Sequence, residues 1–211
     1  MANTFNPFGF DPASRMDGAA WSGNQTAYQI LYSYNTALYR GDPVQLTAGY
    51  IQQMAPGSIS STVMPMGIFM GCQYISKSQQ RLVFNNFWPG TADVTQVSGN
   101  IVTAFVIDDP NVTFWVQTGY SGSGSGPATQ AMVGDNCTYA YGTPSAANLS
   151  GAYIDLTTAP AVGATLPFRI LALPADPWIG APASNGLDNT TQYNLVQVMW
   201  NNEFYRQLTG A

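Results

Sequence analysis

This sequence predicts an all-β protein, an antiparallel β barrel or sandwich with an extended N-terminal arm, and three observations point there. From residue 26 onward, short segments rich in Tyr, Val, Ile, Phe and Thr alternate with Gly, Pro, Asn and Asp, the pattern of strands and turns. No segment repeats its apolar residues at the helical period over the length of a helix. The chain holds a single Glu (Glu203) and a single Lys (Lys77), the residues that ordinarily populate exposed helix faces, so long solvent-facing helices are not expected.

The first 25 residues, MANTFNPFGFDPASRMDGAAWSGNQ, precede that pattern and differ from it. Pro7, Gly9, Pro12 and Gly18 interrupt each window in which a helical face could build up. There is no basic start followed by a long apolar run, so the stretch does not read as a secretory signal. It reads as an extended arm, residues 1–25, ahead of one β domain, residues 26–211. An arm carrying Phe5, Phe8, Phe10, Met16 and Trp21 is expected to lay those side chains on another protein's surface, where each is worth binding energy once ordered.

The expected strands then follow in order. TAYQILYSY and TALYR come first, and Gly41-Asp42-Pro43 turns the chain into VQL. MGIFMGCQYI (66–75), QRLVFNNF (80–87) and NIVTAFVI (100–107) continue the series, and Asp108-Asp109-Pro110 makes the next turn. In NVTFWVQ, Val112, Phe114 and Val116 share one face while Asn111, Thr113, Trp115 and Gln117 share the other, the period of a half-buried strand. SGSGSGPA (121–128) is a flexible run, read as the loop of a long hairpin. TYAYG, AYIDL, TLPFRILALP and TQYNLVQVMWNNEFYRQ complete about ten strands. In the last, Tyr193, Leu195, Gln197 and Met199 alternate with Asn194, Val196, Val198 and Trp200, which suits a strand apolar on both faces.

Charge narrows the function. Six basic and eleven acidic residues make up only 8% of the chain and leave a net charge of −5, against roughly 25% charged in an average protein. The basic residues are scattered and form no patch to neutralise phosphates, so direct binding of nucleic acid is not expected. No run of 18 or more apolar residues offers a membrane span. Cys72 and Cys137 read as small buried side chains rather than a disulfide, a chain without an export signal being expected in a reducing compartment.

The chemistry available is limited. The absence of His removes Ser-His-Asp and Cys-His devices and imidazole-based metal sites. Asp108 and Asp109 are neighbours that point to opposite sides of a strand end and read as a turn. Glu203 is the obvious acid for a carboxylate hydrolase, but no spacing selects its partner among the Asp residues. No loop has calcium-site spacing, and neither metal nor cofactor is expected. Arg40-Gly41-Asp42 spells an adhesion tripeptide, yet LYRGDPV is a strand running into a turn. The sequons at Asn24, Asn111, Asn136, Asn148 and Asn189 follow from an Asn- and Thr-rich composition without export. Trp88, Trp115, Trp178 and Trp200 can stack sugars or fill core, core being the commoner use.

The stretches NPFGFDPASRMDGAAWSG, YSYNTALYRGDPV, GIFMGCQY, IDDPNVTFWVQ, FRILALPADPWIG and VQVMWNNEFYR, in that order, resemble the capsid decoration, or cement, proteins of tailed bacteriophages. The resemblance covers most of the chain and is weakest over residues 121–160. It implies a non-enzymatic β-rich virion protein, made in the host cytoplasm, that binds the major capsid protein on the outside of the shell and cements neighbouring capsomers. It also implies self-association, with a homotrimer expected on threefold lattice positions and a dimer as the other option. The alternative is a virion carbohydrate- or receptor-binding β domain whose exposed tryptophans stack sugars.

Overall fold

The computed structural model describes residues 2–57, 65–95, 102–174 and 186–206. The chain is all-β: fourteen strands and two short 3₁₀ turns over the described residues. Trp178 and the start of the strand expected at residue 100 lie outside the described residues.

Five strands close a barrel. In spatial order they are β10 (Val112–Gly119), β12 (Ala152–Asp155), β11 (Asn136–Tyr141), β13 (Phe168–Ala172) and β14 (Leu195–Trp200), with β14 pairing back onto β10. Inward residues of β10 and β14, Phe114, Val116, Val196, Val198 and Trp200, meet Tyr139, Ile154, Phe168 and Ile170 from the other strands in one core. The alternation read from residues 111–117 and 193–200 is therefore what fills this barrel. Trp115, on the outward parity, is half-buried.

A second sheet runs β2 (Thr26–Ile30), β9 (Val102–Ile107), β6 (Pro65–Ser76), β4 (Pro43–Thr47) and β5 (Tyr50–Gln53). β7 (Arg81–Asn85) pairs with the far half of β6, and β3 (Leu38–Tyr39) forms a small ribbon with β8 (Phe87–Trp88). Its own core contains Ile30, Leu38, Val44, Phe69, Cys72, Tyr74, Trp88 and Val106. The twelve-residue β6 serves both layers. A bulge between Phe69 and Gly71 shifts its facing, so Ile68 and Met70 pack on the barrel while Phe69, Cys72 and Tyr74 fill the second core.

Two expectations are corrected. The barrel is mixed rather than wholly antiparallel, because β10 and β12 run parallel at Thr118↔Ile154 and Gly119↔Asp155. The Gly-Ser run is accordingly not a hairpin loop: β12 sits between β10 and β11. A parallel pair needs a long crossover, and residues 120–135 begin it. Tyr120 donates to Gly126 O at 3.0 Å and Ala128 bonds the Asn194 side chain through both backbone groups at 2.9 and 3.0 Å.

The larger correction concerns residues 1–25. The segment folds back on its own barrel. β1 (Asp11–Arg15) pairs antiparallel with β10, from Asp11↔Trp115 to Arg15↔Val112, on the edge that β12 leaves open. Phe10 is 1% exposed. Its ring stacks on Phe168 at 4.3 Å and meets Phe114 and Tyr139 edge-on. Asn3 is buried too, its side chain accepting from Gly186 N at 2.9 Å and donating to Asp188 O at 2.8 Å. A strand edge and an unfilled barrel end were available within the same chain, and they absorb a segment whose composition looked unable to bury itself.

Gly9 makes the return possible. It sits at φ +80°, and a Cβ there would lie 2.5 Å from Ser150 Cβ and 2.8 Å from Gly41 O. Gly9→Ala is thus expected to unseat the following Phe10 and lower the unfolding midpoint in urea, whereas Gly18→Ala, with open space around it, is expected to move it much less. Equal shifts would count against this packing.

Candidate functional site

The described clefts are small. One of about 220 Å³ is lined by Phe8, Phe10, Asp11, Arg40, Gly41 and Leu149, and one of about 370 Å³ by Lys77, Thr91, Val94 and Thr95. Neither brings two carboxylates together. Glu203 is buried, and its Oε2 accepts from Tyr205 N at 2.7 Å. Asp108 accepts from Thr26 Oγ1 and Tyr28 Oη at 2.9 and 2.7 Å, while Asp109 accepts from Arg15 Nη1 at 2.6 Å and Asn111 N at 2.9 Å. The pair therefore faces two ways, as its turn position implies. Among the described residues no group of three or more Cys, Asp or Glu is placed to hold a metal ion.

The adhesion tripeptide is not presented. Asp42 is 1% exposed, with its carboxylate accepting from Tyr39 N at 2.9 Å and Gln53 Nε2 at 3.2 Å. Burial lifts its pKa to about 6, against the lowering effect of hydrogen bonds from Ser150, Tyr39 and Gln53. Gly41 N donates to Phe69 O, and its own carbonyl receives Phe10 N. This turn is the joint between the N-terminal segment, the barrel and the second sheet. Tyr139 and Tyr141 seal it by donating to Met54 O at 2.7 and 3.1 Å. Cys72 and Cys137 are free and buried in different cores, and burial pushes the Cys72 thiol up to about 12.

The five arm residues are not gathered into one patch. Phe10 is core. Phe8 is half-buried on the wall of the smaller cleft. Phe5 packs against Tyr153 and Tyr193, each with ring centroids 5.1 Å away, and keeps 40% of its surface exposed. Met16 is exposed in the turn after β1, and Trp21 lies half-buried against the barrel core. They are strung along the flank of β10.

The surface best suited to bind something is one the sequence reading did not single out: the outer face of the second sheet. β6 and β7 pair in register, with Ile75 opposite Leu82 and Gln73 opposite Phe84. Because strand residues alternate, Val83 and Tyr74 point into the second core while Leu82, Phe84 and Ile75 point out. Phe84 is 70% exposed and Leu82 50%. Phe105, on β9, lies parallel to Phe84 with centroids 6.4 Å apart. Gln73, Thr103, Ala27 and Gln29 complete the face by register, so it bears no charged side chain. An apolar, uncharged sheet face edged by polar ends marks a docking surface rather than a catalytic cleft. The signal was present in RLVFN: three consecutive apolar residues in a short strand place one face in water unless something covers it.

Comparison with family models, curated proteins and solved structures finds no match for this chain.

Proposed function

We propose that this chain is a non-enzymatic virion structural protein that attaches to the outside of a major capsid shell and holds neighbouring capsomers together. The observation that carries the reading is the uncharged outer face of the second sheet, with exposed Leu82 and Phe84 on its β7 edge. Such a face gains free energy by being covered, at about 25 cal/mol per Å² of apolar area removed from water, and it has the breadth for a protein partner rather than a small molecule. The motif resemblance supplies the capsid as that setting. On the barrel side, Phe5 and Met16 remain outward and add apolar contact area toward the shell.

The test is co-sedimentation with capsids stripped of decoration. Wild-type protein is expected to bind saturably and to raise the temperature at which the particles rupture. Leu82→Asp with Phe84→Asp is expected to weaken retention on the order of tenfold or more, since a carboxylate there must be desolvated on docking. Failure of the folded wild-type protein to bind such capsids would remove the proposal.

A further inference from the structure

We propose that β7 takes hold of its partner by strand addition: an extended segment of another protein, apolar at every second residue, pairs antiparallel with the open edge of β7 and lays its apolar side chains beside Leu82 and Phe84. Strand addition rests on the docking reading of that face and deepens it, since it names the form the bound polypeptide takes.

The hydrogen bonds of β6 fix which way β7 points its own backbone groups. Ile75 O accepts from Thr95 N at 3.1 Å and Lys77 N donates to Asp93 O at 2.9 Å, so the odd-numbered residues at this end of β6 bond the flank away from β7. Successive residues of a strand bond alternate flanks, and Cys72, Tyr74 and Ser76 therefore bond Asn85, Val83 and Arg81. Opposite Gln73 and Ile75, Phe84 and Leu82 turn their N–H and C=O groups outward, and these groups have no partner among the described residues. The side chains of the same two residues stand on the bare face, Phe84 70% and Leu82 50% exposed. Leu82 and Phe84 thus present donors, acceptors and apolar side chains together.

Donors and acceptors repeating in line at every second residue match an extended backbone, which can exchange both bonds with Leu82 and both with Phe84. In that register the bonded residues of the incoming segment place their side chains on the same face, beside the Phe84–Phe105 ring pair, which is why those residues are the apolar ones. The edge lacks the usual defences: β7 pairs with β6 without a bulge, contains no proline, and carries its one charge, Arg81, at the hairpin end. β1, by contrast, has its outer flank closed by the turn that follows it, with Arg15 N donating to Ala19 O and Ser14 bridged to Ala20. The barrel fills the edge of β10 in the proposed manner with the chain's own Asp11–Arg15. A second copy suits β7 less well. The strand is five residues long, about 17 Å, and two such edges side by side bury far less than the roughly 1,200 Å² of a stable interface. A flexible segment escapes that limit by continuing from the edge onto the face.

The test uses the intact protein with short capped peptides in which Val, Ile or Phe alternates with Thr. In the free protein the Leu82 and Phe84 amides are expected to exchange rapidly with solvent and the Val83 amide slowly. Saturating peptide is expected to slow Leu82 and Phe84 on the order of tenfold. N-methylation of the peptide's apolar residues abolishes this protection, and N-methylation of its Thr residues leaves it. Leu82→Pro removes an outward N–H without breaking a β6–β7 bond; it is expected to keep the circular dichroism spectrum and to lose affinity for peptides and for stripped capsids on the order of tenfold, while Leu82→Val binds nearly as wild type. Unprotected amides, equal effects of the two methylation patterns, or a folded Leu82→Pro variant retained like wild type each overturn the proposal; if Leu82→Pro does not fold, the methylation pair decides. A wild-type dimer that dissolves in Leu82→Pro, with no peptide captured, gives the edge to a second copy and overturns it too. Peptide capture without capsid binding leaves strand addition standing and removes the cement reading. Capsid binding that Leu82→Asp with Phe84→Asp weakens and Leu82→Pro leaves unchanged does the reverse.

Discussion

Phe10→Ala is expected to cost the fold about 3–5 kcal/mol, the range for truncating a fully buried aromatic. Phe10 is 1% exposed, stacked on Phe168, which stacks in turn on Trp200 at 4.2 Å. A cavity there would unsupport three rings at once. Total stability of a domain this size is about 5–15 kcal/mol, so the variant sits near the edge of folding, and deletion of residues 2–10 is expected to cross it. Deletion also removes two of the partners of buried Gln117, whose Oε1 accepts from Asn6 N at 2.8 Å and whose Nε2 donates to Thr4 O at 2.9 Å, and leaves it the bond to Tyr193 O at 3.0 Å. Phe5→Ala, at a partly exposed ring, is expected to cost about 1 kcal/mol. Urea unfolding followed by tryptophan fluorescence measures all three. A deleted form that unfolds at the wild-type midpoint would make the segment a detachable arm after all.

The contribution of Asp42 to stability is expected to fall as pH rises from about 4 to about 6. Its folded pKa is about 6, above the ordinary 3.8, because burial penalises the carboxylate more than its hydrogen bonds favour it. Between those values the folded state holds a proton that the unfolded state has released. The Asp42 contribution is therefore full below 3.8, is lost through this window, and is absent above it. A displacement of that size is worth up to about 3 kcal/mol. Asp155 works the other way: burial raises its pKa, but hydrogen bonds from Ser121 and Thr157 outweigh that and hold it low, so it adds stability that is lost on acidification. The measurement is accordingly the difference between wild type and Asp42→Asn in chemical denaturation across pH. The difference is expected to change through the window from pH 4 to 6. Parallel curves would mean that the Asp42 carboxylate is adequately solvated or paired in the folded state.

Much of the scaffold could be read before the fold was known. β9, β10 and β14 announce themselves because period-two alternation is a property of consecutive residues, and burial of one parity follows from it. The turns at Gly41-Asp42-Pro43 and Asp108-Asp109-Pro110 are local as well: Gly41 adopts φ +95°, and the aspartates hydrogen-bond their own vicinity. β1 and β5 were missed. DPASR has little β-forming character and becomes a strand because β10 offers an open edge, while the β-formers Tyr50 and Ile51 make too short a run to stand out until they pair on the edge of β4. The candidate site was missed for a related reason. Leu82, Val83 and Phe84 read as an ordinary buried strand until it is known that only one side of that strand has a neighbour.

By itself the sequence determined the all-β class, the positions of the tight turns, a surface nearly without charge and the lack of imidazole chemistry, since these depend on composition or on residues a few positions apart. The tertiary structure alone decided the parallel pairing of β10 with β12, the burial of Phe10, the proton affinity of Asp42 and the bare face around Phe84. Each of those depends on contacts between distant parts of the chain, such as Asn3 N bonding Thr191 Oγ1 across 188 residues. An extended segment carries no local mark of the surface it will lie on, because the same backbone and side chains satisfy an edge in their own barrel or in a partner's, and only the closed geometry of the barrel makes its own edge the nearer one.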